Sequence, residues 1–239
     1  MIPKIIHYCW FGGKELPKQA QICIASWKKF LPDYEIKEWN ENSFDIHSNV
    51  YVEEAYKVRK FAFVTDYVRL YALYTVGGIY MDTDVEVVKN LDCFLSLSAF
   101  SGFEDDYHVP TGIMASEKEG KWVKENMLYY ENKHFVKSDG NLDMTTNVTI
   151  ITNYMSDYGL ILNNTFQEFP QLITLYPKEY FCPKSHDTGK ISCTENTYTI
   201  HHFAGSWYGK REKILRFCYK VSGRKLGRFL KCIYKKLKL

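Results

Sequence analysis

Two aspartates stand two residues apart in the run Gly77-Gly78-Ile79-Tyr80-Met81-Asp82-Thr83-Asp84. On a strand, the two-residue period turns both carboxylates to one face, where they can serve one hard divalent cation. Mg²⁺ or Mn²⁺ bound there would neutralise a diphosphate, which is what departure of a nucleoside diphosphate requires. The spacing alone carries little weight, because on the order of one chance D-x-D is expected in a chain of this length. One helix earlier, Asp66 and Arg69 are three residues apart and share a helical face. On a solvated helix such a pair is worth only about 0.3 kcal/mol. Here Ala62 to Thr65 and Tyr67 to Tyr74 make the helix mostly apolar. The pair therefore belongs to a largely buried element aimed at the end of a strand, as a site requires.

The elements that must hold these residues follow from the hydrophobic periods. Lys4 to Trp10 reads as a buried first strand closed by Gly12-Gly13. Leu16 to Phe30 has helical spacing and stops at Pro32, and Tyr34 to Trp39 alternates as a short second strand. One long helix is expected from about Val52 to Val76, with Phe63, Tyr67, Leu70, Leu73 and Tyr74 at three- and four-residue steps. Gly77-Gly78 ends it as a C-cap, Ile79 to Met81 begins the next strand, and Val85, Val87 and Val88 continue an extended stretch. This order favours an α/β sheet with largely parallel strands. Beyond residue 100 the pattern weakens: 117–130 and 147–158 read as helical, 169–181 and 198–203 as extended.

Charge separates the chain into two parts. Residues 210–239 carry twelve Lys or Arg against the single acid Glu212, for +11, and the other nineteen basic and twenty-seven acidic residues leave −8. In that tail, apolar residues from Ile214 to Leu237 recur at helical steps between the cations, a pattern suited to an anionic membrane surface. A solvated helix packed on the domain is the plainer reading. Nucleic acid is not expected as a partner, because no binding motif accompanies the charge. The division is therefore a domain over 1–208 and a basic amphipathic tail over 209–239. Seven cysteines without a C-x-x-C pair argue against a disulfide framework. The first residues lack the apolar run of a signal peptide, and no stretch approaches the roughly 20 apolar residues of a membrane span. The expected location is the cytoplasm, peripheral on the inner face of the cell membrane.

The composite Ala62-x-x-x-Asp66-x-x-Arg69 followed by Gly77-Gly78-Ile79-Tyr80-x-Asp82-x-Asp84 resembles the D-x-D sugar-binding region of glycosyltransferase family 32. That family includes bacterial capsular and lipopolysaccharide transferases and is related to the catalytic domains of large clostridial toxins. Ile5-Ile6-His7-Tyr8-Cys9-Trp10-Phe11-Gly12-Gly13 resembles its opening segment, and Thr199-Ile200-His201-His202-Phe203-Ala204-Gly205-Ser206-Trp207 its closing H-x-x-x-x-S-W. The resemblance implies a GT-A fold, a Rossmann-like, mostly parallel mixed sheet flanked by helices. It implies that Asp84 ligates Mn²⁺ or Mg²⁺ directly, that Asp82 contacts the donor and reaches the metal through water, and that Asp66 and Arg69 hold the transferred sugar. Tyr80 would lie against the nucleotide, and Ser206 and Trp207 would close on the diphosphate.

Trp10 would stack on a uracil-type base, a role for which a rigid aromatic at a strand end is suited, although ordinary core packing explains it equally. A histidine would complete the metal shell. Adjacent strand residues face opposite ways, so one of His201 and His202 points at the ion, and His201 is favoured. Val109 to Ala115 and Thr145 to Asn147 match less well, which leaves the acceptor unassigned. The resemblance implies a retaining transfer of a hexose or N-acetylhexosamine from a UDP-sugar to a saccharide acceptor in capsule, exopolysaccharide or lipopolysaccharide synthesis. The basic tail suggests that this acceptor is lipid-linked. A nucleotide-sugar hydrolase, a protein-modifying glycosyltransferase and a non-catalytic membrane-associated binding protein are the alternatives.

Overall fold

The computed structural model describes residues 1–110 and 112–205 of the 239, so the tail expected over 209–239 lies outside the described residues. The first half runs β1 (Ile5–Cys9), α1 (Lys18–Phe30), β2 (Glu35–Trp39), α2 (Val50–Lys57), α3 (Phe61–Val76), β3 (Gly78–Met81) and β4 (Val85–Val87). The second half runs β5 (Ala99–Gly102), β6 (Ile113–Ser116), α4 (Lys121–Leu128), α5 (Asn147–Asp157), β7 (Gln167–Phe169), β8 (Ile173–Tyr176), α6 (Lys178–Phe181) and β9 (Thr199–His201).

Seven strands form one sheet in the order β2-β1-β3-β6-β5-β8-β7, and β4 pairs with β9 in a separate two-stranded ribbon. Within the sheet β2, β1, β3, β5 and β8 point one way, and β6 and β7 run against them. This is the mostly parallel mixed sheet of a GT-A fold. Its ligand-bearing edge is fixed by that direction, since parallel strands deliver their carboxyl ends to one side.

Each sheet face is closed by its own apolar cluster. On β3, Tyr80 packs towards α3, α4 and α5, while Ile79 and Met81 pack towards α1 and β4, as the two-residue period dictates. α3 is apolar nearly all round, with Val64, Val68, Leu70, Ala72 and Leu73 fully buried. His7 couples α3 to the sheet. Trp39 Nε1–H can only donate, so His7 Nδ1 accepts from it (3.0 Å) and His7 Nε2–H donates to Gly77 O (2.8 Å). Burial holds the His7 pKa down at about 4, so the ring is neutral. Gly78 follows at φ +121°, where a Cβ would stand 2.5 Å from Ile5 O, so the tight step from α3 into β3 requires glycine.

Three expectations need correction. The helix foreseen over 52–76 is two helices. α2 closes when Arg59 turns left-handed (φ 58°) and Lys60 N–H bonds Ala55 O, at a cost of about 1 kcal/mol that no glycine announces. Residues 113–116, part of a loosely matched segment, form the antiparallel strand β6, and the helix expected from 117 begins only at Lys121. Within 169–181, whose sequence pattern reads as extended, residues 178–181 are helical.

Candidate active site

The acidic pair does not sit on a strand. β3 ends at Met81, the chain turns through Asp82, Thr83 and Asp84 with Val85 N–H bonded to Asp82 O (2.9 Å), and β4 then leaves for the ribbon. The turn, rather than strand alternation, brings the two carboxylates together. α1 holds the ribbon down: Trp27 Nε1–H donates to Val85 O (2.7 Å) and Val87 N–H to Ser26 Oγ (2.9 Å).

β9 supplies the third group. Its register sets His201 opposite Val85, so its side chain reaches the turn. His201 Nε2 lies 3.4 Å from Asp84 Oδ1 and 3.8 Å from Asp82 Oδ2. His202 faces the other way and meets Glu86 at 2.8 Å, while its N–H bonds Asp84 O (3.0 Å). Ligand atoms of Asp82, Asp84 and His201 all lie within 4.8 Å of one another, close enough to hold one metal ion.

The second half of the site comes from α3. Arg69 Nη2 stands between two carboxylates, 3.4 Å from Asp66 Oδ1 and 3.3 Å from Asp82 Oδ1. Its guanidinium lies over the Tyr80 ring, 4.6 Å from the centroid, and Tyr80 OH donates to Asp82 Oδ1 (2.8 Å). Tyr80 itself is buried, so any part it plays in binding a ligand runs through Asp82. Asn147, the first residue of α5, donates its N–H to Asp66 Oδ2 (3.3 Å) and its side-chain amide to Asp66 O (3.3 Å).

The charges divide accordingly. Burial pushes the Asp66 pKa up to about 6; Arg69 offsets this in part, and Asp82 adds to it. Burial works the same way on Asp84, but His201 and the Ala204 N–H (2.6 Å from Oδ2) outweigh it and hold that carboxyl at about 2. Conversely, burial opposes a charge on His201, and Asp84 overrides it, keeping the imidazole pKa well above its ordinary value. Two carboxylates and an imidazole fit a divalent transition metal such as Mn²⁺, and the ring would then ligate in its neutral form.

Trp10 is half-buried just past β1. Its N–H bonds Trp39 O (2.9 Å) and its indole donates to Lys14 O (2.5 Å), so it belongs to the same sheet edge as Asp82. Asp66, Arg69, Tyr80, Asp82, Asp84 and His201 form one connected cluster, whereas Ser206 and Trp207 lie outside the described residues. Gly112 was missed. A Cβ there would meet Asp82 Oδ2 and His201 Cε1 at 3.1 Å and Val85 Cγ2 at 3.0 Å, so a side chain would make these site residues give by a few tenths of an ångström. An isolated glycine opening an apolar run is a weak sign of such close approach.

A GT-A sheet with an acidic, metal-competent turn at its carboxyl edge is the framework of a sugar-nucleotide transferase. Residues 17–101 match the family described as the glycosyltransferase sugar-binding region containing a DXD motif. An uncharacterized glycosyltransferase of Acanthamoeba polyphaga mimivirus is 33% identical over 226 residues, 87% of this chain and 84% of that protein. Inositol phosphoceramide mannosyltransferase 3 of Schizosaccharomyces pombe is 32% identical over 107 residues, 41% of this chain, and the match spans only 29% of that relative's length. Among solved structures, PaToxG glycosyltransferase shares the fold with a TM-score of 0.51 at 20% identity, over 66% of this chain and 69% of that one. The chain belongs to the DXD-containing glycosyltransferases.

Proposed function

We propose that this glycosyltransferase is a retaining enzyme that uses Mn²⁺ or Mg²⁺ to move a hexose or N-acetylhexosamine from a UDP-sugar to a saccharide acceptor. The observation that carries the reading is the convergence of Asp82, Asp84 and His201 within 4.8 Å, beside an Arg69 that bridges Asp66 and Asp82. A divalent cation held by these three would neutralise the leaving diphosphate electrostatically. The mixed oxygen and nitrogen donors favour Mn²⁺ over Mg²⁺, which prefers oxygen ligands.

Asp84, with its second oxygen already taken by Ala204 N–H, offers one oxygen as the direct ligand. Asp82, tied through Oδ1 to Tyr80 and Arg69, mainly orients the donor. Asp66 and Arg69 accept and donate hydrogen bonds to the transferred sugar, with Arg69 also near the diphosphate, and Trp10 carries the base. The bond from the anomeric carbon to phosphate breaks as the bond from the acceptor oxygen forms on the same face. The acceptor is taken to be lipid-linked at the cytoplasmic face of the membrane, on the strength of the +11 tail.

Incubation with Mn²⁺ and a panel of UDP- and GDP-sugars, scoring nucleoside diphosphate release with and without saccharides, tests the reading. GDP-mannose belongs in the panel because the Schizosaccharomyces pombe relative is named a mannosyltransferase. Metal-dependent release that Asp84→Ala abolishes is expected. Transfer by that variant at the wild-type rate would sink the assignment. The anomeric configuration of the product, read by NMR, tests retention.

A further inference from the structure

The loop between β5 and β6 carries three consecutive acids, Glu104, Asp105 and Asp106, with different surroundings. Asp105 Oδ1 accepts from Tyr107 N–H (2.8 Å) and meets His108 Nδ1 (2.8 Å), and Asp106 pairs with Lys178 Nζ (2.6 Å). The Glu104 carboxylate accepts no hydrogen bond and joins no ion pair among the described residues, although it is half-buried. Burial raises its pKa, His201 and, less strongly, His108 oppose that rise, and Asp105 and Asp82 add to it, so Glu104 shares the field of the acidic turn. It offers no atom to the group formed by Asp82, Asp84 and His201.

The backbone explains how it comes there. β5 and β3 point the same way on either side of β6, so the loop leaving β5 emerges on the edge that carries Asp82. The loop returns to the turn through Gly112 O, which accepts from Asp82 N–H (2.8 Å). Thr152 of α5 clamps Val109 by both backbone groups, at 3.0 and 2.7 Å. Glu104 N–H bonds His108 O (2.9 Å), which fixes the turn that presents Tyr107, 66% exposed. A carboxylate that no protein donor holds is free to accept from a ligand. In a sugar transferase the available donor is a hydroxyl group, and the exposed Tyr107 ring on the same loop suits the apolar face of a pyranose.

We propose that residues 104–108 form the acceptor-sugar subsite, the Glu104 carboxylate accepting from an acceptor hydroxyl and the Tyr107 ring lying against the sugar. This rests on the transferase reading above and adds an acceptor side to it, on the loop that leaves β5 at the sheet edge carrying Asp82.

The test uses methyl hexopyranosides as acceptor probes, with the donor and Mn²⁺ that give release in the wild type. Glu104→Gln is expected to raise KM for the best glycoside at least tenfold, and Tyr107→Ala severalfold. Calorimetric affinities for Mn²⁺ and UDP should stay within twofold of wild type in both variants. An unchanged glycoside KM, an equal loss of Mn²⁺ or UDP affinity, or a panel in which no glycoside accelerates release would overturn the proposal. Absence of any metal-dependent release from the wild type would instead defeat the parent reading.

Discussion

Asp66 and Arg69 reach the site three residues apart on one buried helix, whereas Asp84 and His201 meet through a ladder of three residue pairs between β4 and β9. In the first region local helical geometry sets the contact, and the surrounding core holds it. In the second, Glu86 and His202, 116 residues apart, and the Asp84–His202 backbone bond set the contact. The electrostatics differ too, although burial is the largest influence on both carboxyls. At Asp66 it prevails and the pKa rises to about 6, whereas at Asp84 the charge and hydrogen bond of His201 together with backbone N–H groups outweigh it and the pKa falls to about 2. A locally built carboxylate can thus be desolvated by the core, while the distantly built one depends on its counter-charge. The metal-competent half is the more fragile of the two.

Replacing a direct ligand should have the largest effect. Asp84→Ala is expected to lower metal-dependent turnover about a thousandfold, several kcal/mol of charge stabilisation, measured as UDP release against Mn²⁺ concentration. Asp66→Asn should instead raise donor KM with Mn²⁺ affinity nearly unchanged; equal loss of metal affinity in both variants would erase the distinction between the halves.

Next comes the coupling of α3 to the sheet. His7 has a folded pKa of about 4 against 6.5 unfolded, so the unfolded chain binds the extra proton between these values. Stability should therefore fall as pH drops from 6.5 to 4, by about 3 kcal/mol, because burial disfavours the charged imidazole. Urea unfolding of wild type and His7→Asn at pH 7 and pH 5 checks this, the variant showing the shallower slope.

A smaller effect is expected from Gly112→Ala, whose Cβ would displace Asp82 and His201 by a few tenths of an ångström. Mn²⁺ affinity should drop about tenfold with thermal stability little changed, read by calorimetry and melting. Smallest is Glu86→Gln at the rim of the ribbon, a loss of about 0.5 kcal/mol in stability. A much larger loss there would mean that the ribbon depends on this pair more than on its backbone ladder.

Much of this was legible in the chain. The alternation over the first hundred residues located β1, α1, β2 and β3, and the apolar run around Asp66 and Arg69 marked a buried charged pair. Other features left no local trace. The break between α2 and α3 falls at Val58-Arg59-Lys60, where an arginine, not a glycine, adopts the left-handed turn. β6 lay unseen in a loosely matched segment because four apolar and small residues without a partner in view have no diagnostic period. Two carboxylates expected on a strand face were gathered by a turn, so the right grouping had a different cause.

By itself the sequence determined what local geometry can encode: the helical face shared by Asp66 and Arg69, the C-cap at Gly77, and the alternation that splits Ile79 and Met81 from Tyr80. Only the tertiary structure decided that His201 rather than His202 faces the acidic turn, that Gly112 abuts Asp82 and His201, and that Glu104 has no hydrogen-bond or ion-pair partner among the described residues. The physical reason is that strand register is a non-local hydrogen-bond choice. A shift of one residue turns every side chain to the opposite face, and nothing within either segment records which partner it will meet.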